Sequence, residues 1–551
     1  MENGIDKFDL SVWRTTQERI DMVQDPDCPV HILEIVIEHD MDKDVVLATL
    51  TAKNITVELI EKMCKIHGYS REDIERTRNS MISQKADVKI NSFCGVPWNH
   101  ASTSADGKIR MCCQMINAEG KPGSENYGIL FKDDGSILTT NDDISKNRNA
   151  PAWKTIRKEM LDGVKPDICK LCWDEEDNGI GSRRQWTVKV FPDLLGKARK
   201  LTEPDGSINN VDFPIEHWDL RFGNKCNLAC RSCGPTDSDL WYKDWVAMSG
   251  RTTFQNRGTK DIEIIVDDAG RASVKDSPFE WPDKTSLLSY IKSNISTVKR
   301  FYFTGGEPTI NHTHRTLLQY IIDNGHANNI VLDYNTNMAG IPSKIFDQWK
   351  HFKEVNLGMS IDGIFEHFEY IRHPGKWETA YKNMCRIDQE PGFERLRASV
   401  TMTVSIMNVL HVLDMQWWMK EQGWNHIEPV IIVHNLYGPE HLNIQHLSKR
   451  MKKYITDRYQ QYIVDIKTKW PDEIAWLYIV EKRLNGILTH MNGSAGNPAE
   501  LTNFFENSKK LDNIRGEDWQ TSLPEIYNMV EFCKRQEERN FNVKLATSGK
   551  K

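Results

Sequence analysis

The stretch Cys226-Asn-Leu-Ala-Cys230-Arg-Ser-Cys233 packs three thiols into eight residues, and no other stretch restricts the fold as tightly. It follows a strand-like run, His217–Phe222. Three thiolates in one short loop at a strand end suit three irons of a [4Fe–4S] cluster and leave the fourth iron open to a small molecule. Structural zinc is the competing use, but it asks for four tetrahedral ligands and a second close pair. The loop itself offers no fourth ligand.

Downstream, strand-like and helix-length stretches alternate. The predicted strands are His217–Phe222, Arg300–Thr304, Ile330–Tyr334, Val355–Ile361, Ala398–Val404 and Ile427–Val433. Strands each followed by a helix imply a parallel α/β sheet with right-handed crossovers. Six units fall short of a full eight-unit barrel. Arg251–Asp276, inside the long first connection, reads as an inserted hairpin or loop. Polar residues close the next three strands: Gly305-Gly306-Glu307-Pro308, Asn335-Thr336-Asn337 and Ser360-Ile361-Asp362-Gly363. Such sheets bind ligands at the C-terminal ends of their strands. Paired glycines allow close backbone approach, and the Glu307 carboxylate is able to accept from an ammonium. Taken singly, each segment also reads as an ordinary strand end.

The triplet, its spacing and these strand ends in order resemble the radical S-adenosylmethionine (SAM) superfamily. The resemblance implies a partial (β/α)6 barrel and a SAM-binding [4Fe–4S] cluster on Cys226, Cys230 and Cys233. It also implies an amino-group site at Gly305, Gly306 and Glu307, with Asn337, Ser360 and Asp362 facing SAM and Ser360 directed to the ribose hydroxyls. The reaction implied is reductive cleavage of SAM to a 5′-deoxyadenosyl radical that abstracts hydrogen from a substrate, with an electron donor such as flavodoxin or ferredoxin. The family usually has an aromatic residue just before the last cysteine; Ser232 stands there. Arg372 and Asn408 are lesser candidates for SAM contacts, with surface exposure the alternative for Arg372. His312 and His314, two apart near a helix start, are assigned no metal.

A second group lies upstream: Cys94-Gly-Val-Pro-Trp98, then Gly107, Cys112-Cys113 and Cys169-Lys-Leu-Cys172. It resembles the auxiliary-cluster region of the twitch and SPASM classes of that superfamily. Four thiols, Cys94, Cys112, Cys169 and Cys172, imply the twitch form with one further [4Fe–4S] cluster. Such regions normally follow the core, whereas this one precedes it. Four-cysteine zinc stays open here, as does Cys113 in place of Cys112.

The domain reading is a helical N-terminal region (1–90), an auxiliary-cluster region (91–186), the core (212–440) and a helical C-terminal region (441–551). Helices are predicted over Thr56–Tyr69, Ser70–Ser80, Ala152–Leu161 and Leu447–Lys467, a strand over His31–Ile37, and turns at Ala105–Gly107 and Asp133–Ser136. The positive charges of Leu447–Lys467 read as a solvated helix face. Against 71 Lys and Arg stand 78 Asp and Glu, a net charge of −7, which gives no overall attraction to nucleic acid or anionic membrane. No apolar run approaches bilayer length, and Met1–Leu10 is unlike a secretory segment, so a cytoplasmic location is expected. Twelve cysteines without a secretion signal argue against a disulfide scaffold. Cys28, Cys64, Cys113, Cys385 and Cys533, outside the two clusters, read as small buried apolar side chains. The terminal helical regions offer docking surface and favour a peptide or protein substrate. The alternatives are a small-molecule or nucleotide dehydrogenase or cyclase, and a non-catalytic binding protein stapled by zinc or a cluster.

Overall fold

The computed structural model of the chain describes residues 30–39, 43–52, 55–67, 92–115, 136–177, 181–255, 261–389 and 395–548, with positions 23 and 132 besides. Cys28, the Ser70–Ser80 helix and most of the Asp133–Ser136 turn lie outside the described residues.

The strands, in chain order, are β1 (His100–Thr103), β2 (Ile109–Arg110), β3 (His217–Arg221), β4 (Thr253–Gln255), β5 (Asp261–Val266), β6 (Ala272–Val274), β7 (Arg300–Thr304), β8 (Val331–Thr336), β9 (Glu354–Ser360), β10 (Leu396–Val404) and β11 (Ile427–Asn435). The main sheet runs β11-β10-β9-β8-β7-β3-β1-β2. All six predicted core strands form and pair in parallel in that order. Residues on β7, β9 and β10 alternate between fully and half-buried. Phe301, Val355, Leu357, Val400 and Met402 fill the apolar face, and polar side chains such as Tyr302, Asn356 and Thr401 take the other. One face packs under the crossover helices; the other is left for chemistry.

The upstream region is joined to this sheet by its backbone. β1 pairs in parallel with β3 in the register His100↔His217 and Ser102↔Asp219, and β2 returns antiparallel beside β1. The inserted segment after β3 is a three-stranded antiparallel sheet, β4-β5-β6. Its Phe254, Ile262 and Ile264 pack on Tyr242 and Phe279.

The predicted strand His31–Ile37 is instead part of a helix, Val30–His39. Leu33, Val36 and Ile37 recur at the helical spacing and are fully buried, so packing of one helical face overrides the β-branched propensity. The other predicted helices form as Val57–His67, Pro151–Leu161 and Lys449–Lys469. Further helices, Ile474–Asn492, Pro498–Arg515 and Pro524–Ser548, complete the C-terminal region. Among the described residues no helix is long and apolar enough to cross a membrane, and every described cysteine is free. Of the leftover cysteines among the described residues, Cys533 is buried and Cys64, Cys113 and Cys385 are half-buried.

Buried histidines, His314 and His490 among them, tie the core to pH. Burial pushes His314 down to about 3 and His490 down to about 4. Their unfolded forms bind protons near pH 6.5 while the folded forms do not, so stability is lost as pH falls below that value. Each histidine should cost about 1.4 kcal/mol per pH unit between its unfolded and folded pKa values. Thermal melts from pH 7 to pH 4 should show a falling midpoint, with a shallower fall in His314→Gln.

Candidate functional site

The triplet loop has little regular structure, so side chains shape it. Asp239 Oδ1 accepts from the Cys226 amide at 2.9 Å, Ser238 Oγ donates to the Leu228 carbonyl at 2.6 Å, and the Trp241 indole donates to the Cys230 carbonyl at 2.9 Å. The thiols of Cys230 and Cys233 share a hydrogen bond. That bond, aided by the Arg372 guanidinium, lowers the Cys230 pKa despite burial. Burial and the neighbouring Cys230 push Cys226 up to about 12. Cys233 is raised by its bond to Cys230 and by burial. Ionisation is thus eased at Cys230 and opposed at Cys226 and Cys233; a cationic metal group would let all three ionise together.

The segment after β7 seats directly on this loop. Gly306 has φ 54°, and a Cβ there would lie 2.2 Å from the Lys225 carbonyl oxygen. Only glycine permits that approach, one residue before Cys226. The Glu307 amide donates to the same carbonyl at 2.9 Å. Its buried carboxylate accepts at Oε1 from Thr309 N, Thr309 Oγ1 and Thr336 Oγ1, and at Oε2 from Asn337 N alone. Glu307 therefore organises the end of β8 and keeps Oε2 with capacity to spare.

Of the other sequence candidates, Asn337 lies against the triplet, its amide 3.7 Å from Cys226 Sγ and 2.7 Å from Asn227 Oδ1. Asp362 is buried and pairs with Arg372 Nη2 at 2.8 Å, while Arg372 Nη1 lies 3.9 Å from Cys230 Sγ. Arg372 is therefore a buried neighbour of the cysteine site rather than a surface residue. Ser360 ends β9, half-buried and in register with Thr401. Asn408 spends its amide on the Asp362 and Thr403 carbonyls and the Ser405 N–H, which makes it a brace rather than a ligand contact. His312 is exposed and His314 buried, so they do not converge. Ser232 borders a cavity of about 590 Å³ whose wall includes Cys233, Trp241, Trp245 and Met407.

A latch from the C-terminal helices closes over the loop. Arg231 pairs with both Asp512 and Glu517, donates to the Tyr370 carbonyl at 3.0 Å, and lies 3.5 Å above the Tyr370 ring. Arg515 bonds the Ala229 carbonyl at 2.8 Å and Asp244 at 2.7 Å. Further along, Glu525 meets His367 Nε2 at 2.8 Å and His411 Nδ1 at 3.1 Å. Those two rings stack in parallel at 3.6 Å, and His411 Nε2 accepts from the Ile364 amide. Glu525 thereby ties the C-terminal helix to both rings, and the three side chains bring one nitrogen or oxygen atom each within 4.8 Å of one another. Arg231 stands inside the triplet loop, but nothing local in the sequence points to its partners.

The second cysteine group also assembles. Cys94 precedes the short helix Val96–Asn99, Cys112 follows β2, and Cys169 and Cys172 flank the start of the helix Lys170–Asp177. All four line one small apolar cavity with Met111, Met160 and Trp173. Burial pushes Cys94 up to about 11 and, with the Cys94 charge, Cys172 up to about 12. Arg184, paired with Glu176, borders the same cavity. The Cys113 thiol lies outside that lining and bonds Cys112.

No family model and no curated protein matches the chain. Solved structures do. One is described as "Native anSMEcpe with bound AdoMet", at 16% identity and TM-score 0.28, covering 47% of this chain and 61% of that one. Another is the "Crystal structure of Streptococcus suis SuiB bound to S-adenosylmethionine", at 11% identity and TM-score 0.28, covering 57% of this chain and 63% of that one. The chain thus spans less than two thirds of either, and the functional reading rests on the site itself.

Replacing Asp512 by alanine leaves Arg231 with one of its two carboxylates. A loss of about 1–3 kcal/mol is expected, since Arg231 is almost fully buried. Denaturant unfolding of Asp512→Ala beside the parent chain measures it.

Proposed function

We propose that this chain is a radical SAM enzyme, with Cys226, Cys230 and Cys233 holding a [4Fe–4S] cluster. The observation that carries the reading is the gathering of three thiols with N–H donors on two of their sulfurs, Asn337 at 3.7 Å from Cys226 and Arg372 at 3.9 Å from Cys230. Such second-layer donors are how proteins tune cluster thiolates. When bound, the reduced cluster supplies the electron that cleaves SAM to methionine and a 5′-deoxyadenosyl radical, which takes a hydrogen atom from the substrate.

The chain's own residues do the positioning. Gly305 and Gly306 bring the backbone beside the triplet, and Glu307 Oε2 is the atom placed to accept from the SAM ammonium. Asn337, Ser360 and Asp362 line the SAM side, with Asp362 acting through Arg372. Trp241 and Trp245, which line the same cavity as Ser232, offer the aromatic surface that Ser232 lacks.

Cys94, Cys112, Cys169 and Cys172 hold a second [4Fe–4S] cluster in this proposal. Tetrahedral zinc draws its four sulfurs to about 3.8 Å from one another. Among the described residues no three cysteine sulfurs form a group within 4.8 Å of one another, and the resemblance to the auxiliary-cluster region favours the iron–sulfur group. Cys112 is preferred over Cys113 because it lines the shared cavity. A peptide or protein is the substrate class, and a flavodoxin or ferredoxin the electron donor.

Anaerobic reconstitution should yield about eight irons per chain and reductive formation of 5′-deoxyadenosine. Cys230→Ala should abolish that product, and Cys169→Ala should leave about four irons. Unchanged 5′-deoxyadenosine in Cys230→Ala would sink the reading. One zinc in place of the second set of irons overturns the auxiliary assignment alone.

A further inference from the structure

The polar face of the sheet carries one row of side chains in register across strands: Ser102 on β1, Asp219 on β3, Tyr302 on β7, Asp333 on β8 and Asn356 on β9. The two aspartates of this row are treated very differently. Asp333 is held by both nitrogens of an Arg300 fork and accepts from Asn356 Nδ2 at 3.0 Å. Asp219 is 0% exposed, yet neither of its carboxylate oxygens has a hydrogen-bond partner among the described residues. Burying a carboxylate without partners is costly, and native proteins rarely leave one so.

The donors near Asp219 are equally unspent. Ser102 Oγ, its neighbour in register, is buried without a partner among the described residues. Arg183 lies over the Trp186 and Tyr302 rings and reaches His217 Nε2 at 3.4 Å, while its Nε has no partner. The Arg221 guanidinium makes no hydrogen bond with any described residue, and its Nε is buried. Asp219 is the principal negative neighbour of Arg221 and one of the main ones of Arg183. Acceptors and donors thus lie near one another, and among the described residues they do not meet.

The place is also telling. Cys113, bonded to Cys112 of the second cysteine group, has Asp219 and Arg183 among its neighbours. On the other side, the Arg221 stem packs against Gly305, where a Cβ would lie 2.7 Å from Arg221 Cβ. The unspent atoms therefore lie between the two cysteine sites.

We infer that Asp219, Arg183 and Arg221, with Ser102, form a binding site for a zwitterionic amino-acid group. Its ammonium or N–H meets Asp219, and its carboxylate meets the two guanidiniums. The free amino acid and the terminus of a peptide share this chemistry. Its role as the substrate site rests on the radical SAM reading; the binding itself does not.

The test uses the full-length chain, anaerobically purified, without SAM or reductant, so that failure of SAM cleavage cannot mimic failure of binding. Calorimetric titration and thermal shift are run with three probes: free L-amino acids, the same amino acids as N-acetyl amides, and unblocked trialanine. A free amino acid or trialanine should bind and raise the melting temperature, the blocked amides should not, and the arm that binds identifies the source. Asp219→Asn and Arg221→Gln should each weaken binding about tenfold or more, as loss of a charge-assisted bond does. Failure of every probe, binding of blocked amides as tight as that of free ones, or parent-like affinity in both variants overturns the inference. The comparison of blocked with unblocked probes on the parent chain decides the matter should a variant fail to fold.

Discussion

The buried charge of Arg231 governs much of this structure. A guanidinium in the middle of the triplet loop, almost without solvent, is tolerable only with carboxylates beside it. Asp512 and Glu517 supply them from the C-terminal helices, and Tyr370 supplies a ring face and a carbonyl. Backbone bonds from Ala229 to the His373 carbonyl and from Arg231 to the Ile371 carbonyl then set the rest of the loop against the segment after β9. The positions of Cys230 and of its neighbour Arg372 follow from that seating. The C-terminal helices are thus part of the cysteine site, and not merely docking surface.

The upstream position of the second cysteine group finds a mechanical explanation in the sheet. β1 adds to the free edge of β3 in parallel, so the region that carries Cys94 and Cys112 is hydrogen-bonded to the first core strand. Parallel addition at that edge needs no particular order along the chain, only a long connection back to β3. The same pairing sets Ser102 beside Asp219, so a residue of the upstream region enters the polar face of the core.

The core strands were legible because their period and their flanking turns agree, and the cysteines because their spacing is chemical. What escaped had no local signal. His100–Thr103, as His-Ala-Ser-Thr, lacks the apolar alternation of a strand and is one only because β3 offers it a ladder. Arg372 gives no hint in sequence that Asp362 will draw it inside. His31–Ile37 reads as a strand by its Ile and Val content, and burial of Leu33, Val36 and Ile37 along one helical face decided for the helix. Asp219 reads as one more polar residue in a strand; its lack of partners becomes visible only in three dimensions.

Arg231 and Asp512 are separated by 281 positions. A ribosome adding roughly 5–20 residues per second needs about 15 to 60 seconds to cover that interval. Throughout it the triplet loop exists with its latch not yet synthesised. Closure follows when the carboxylates emerge. The distance along the chain between Arg231 and Asp512 thereby sets how long the loop waits for its counter-ions.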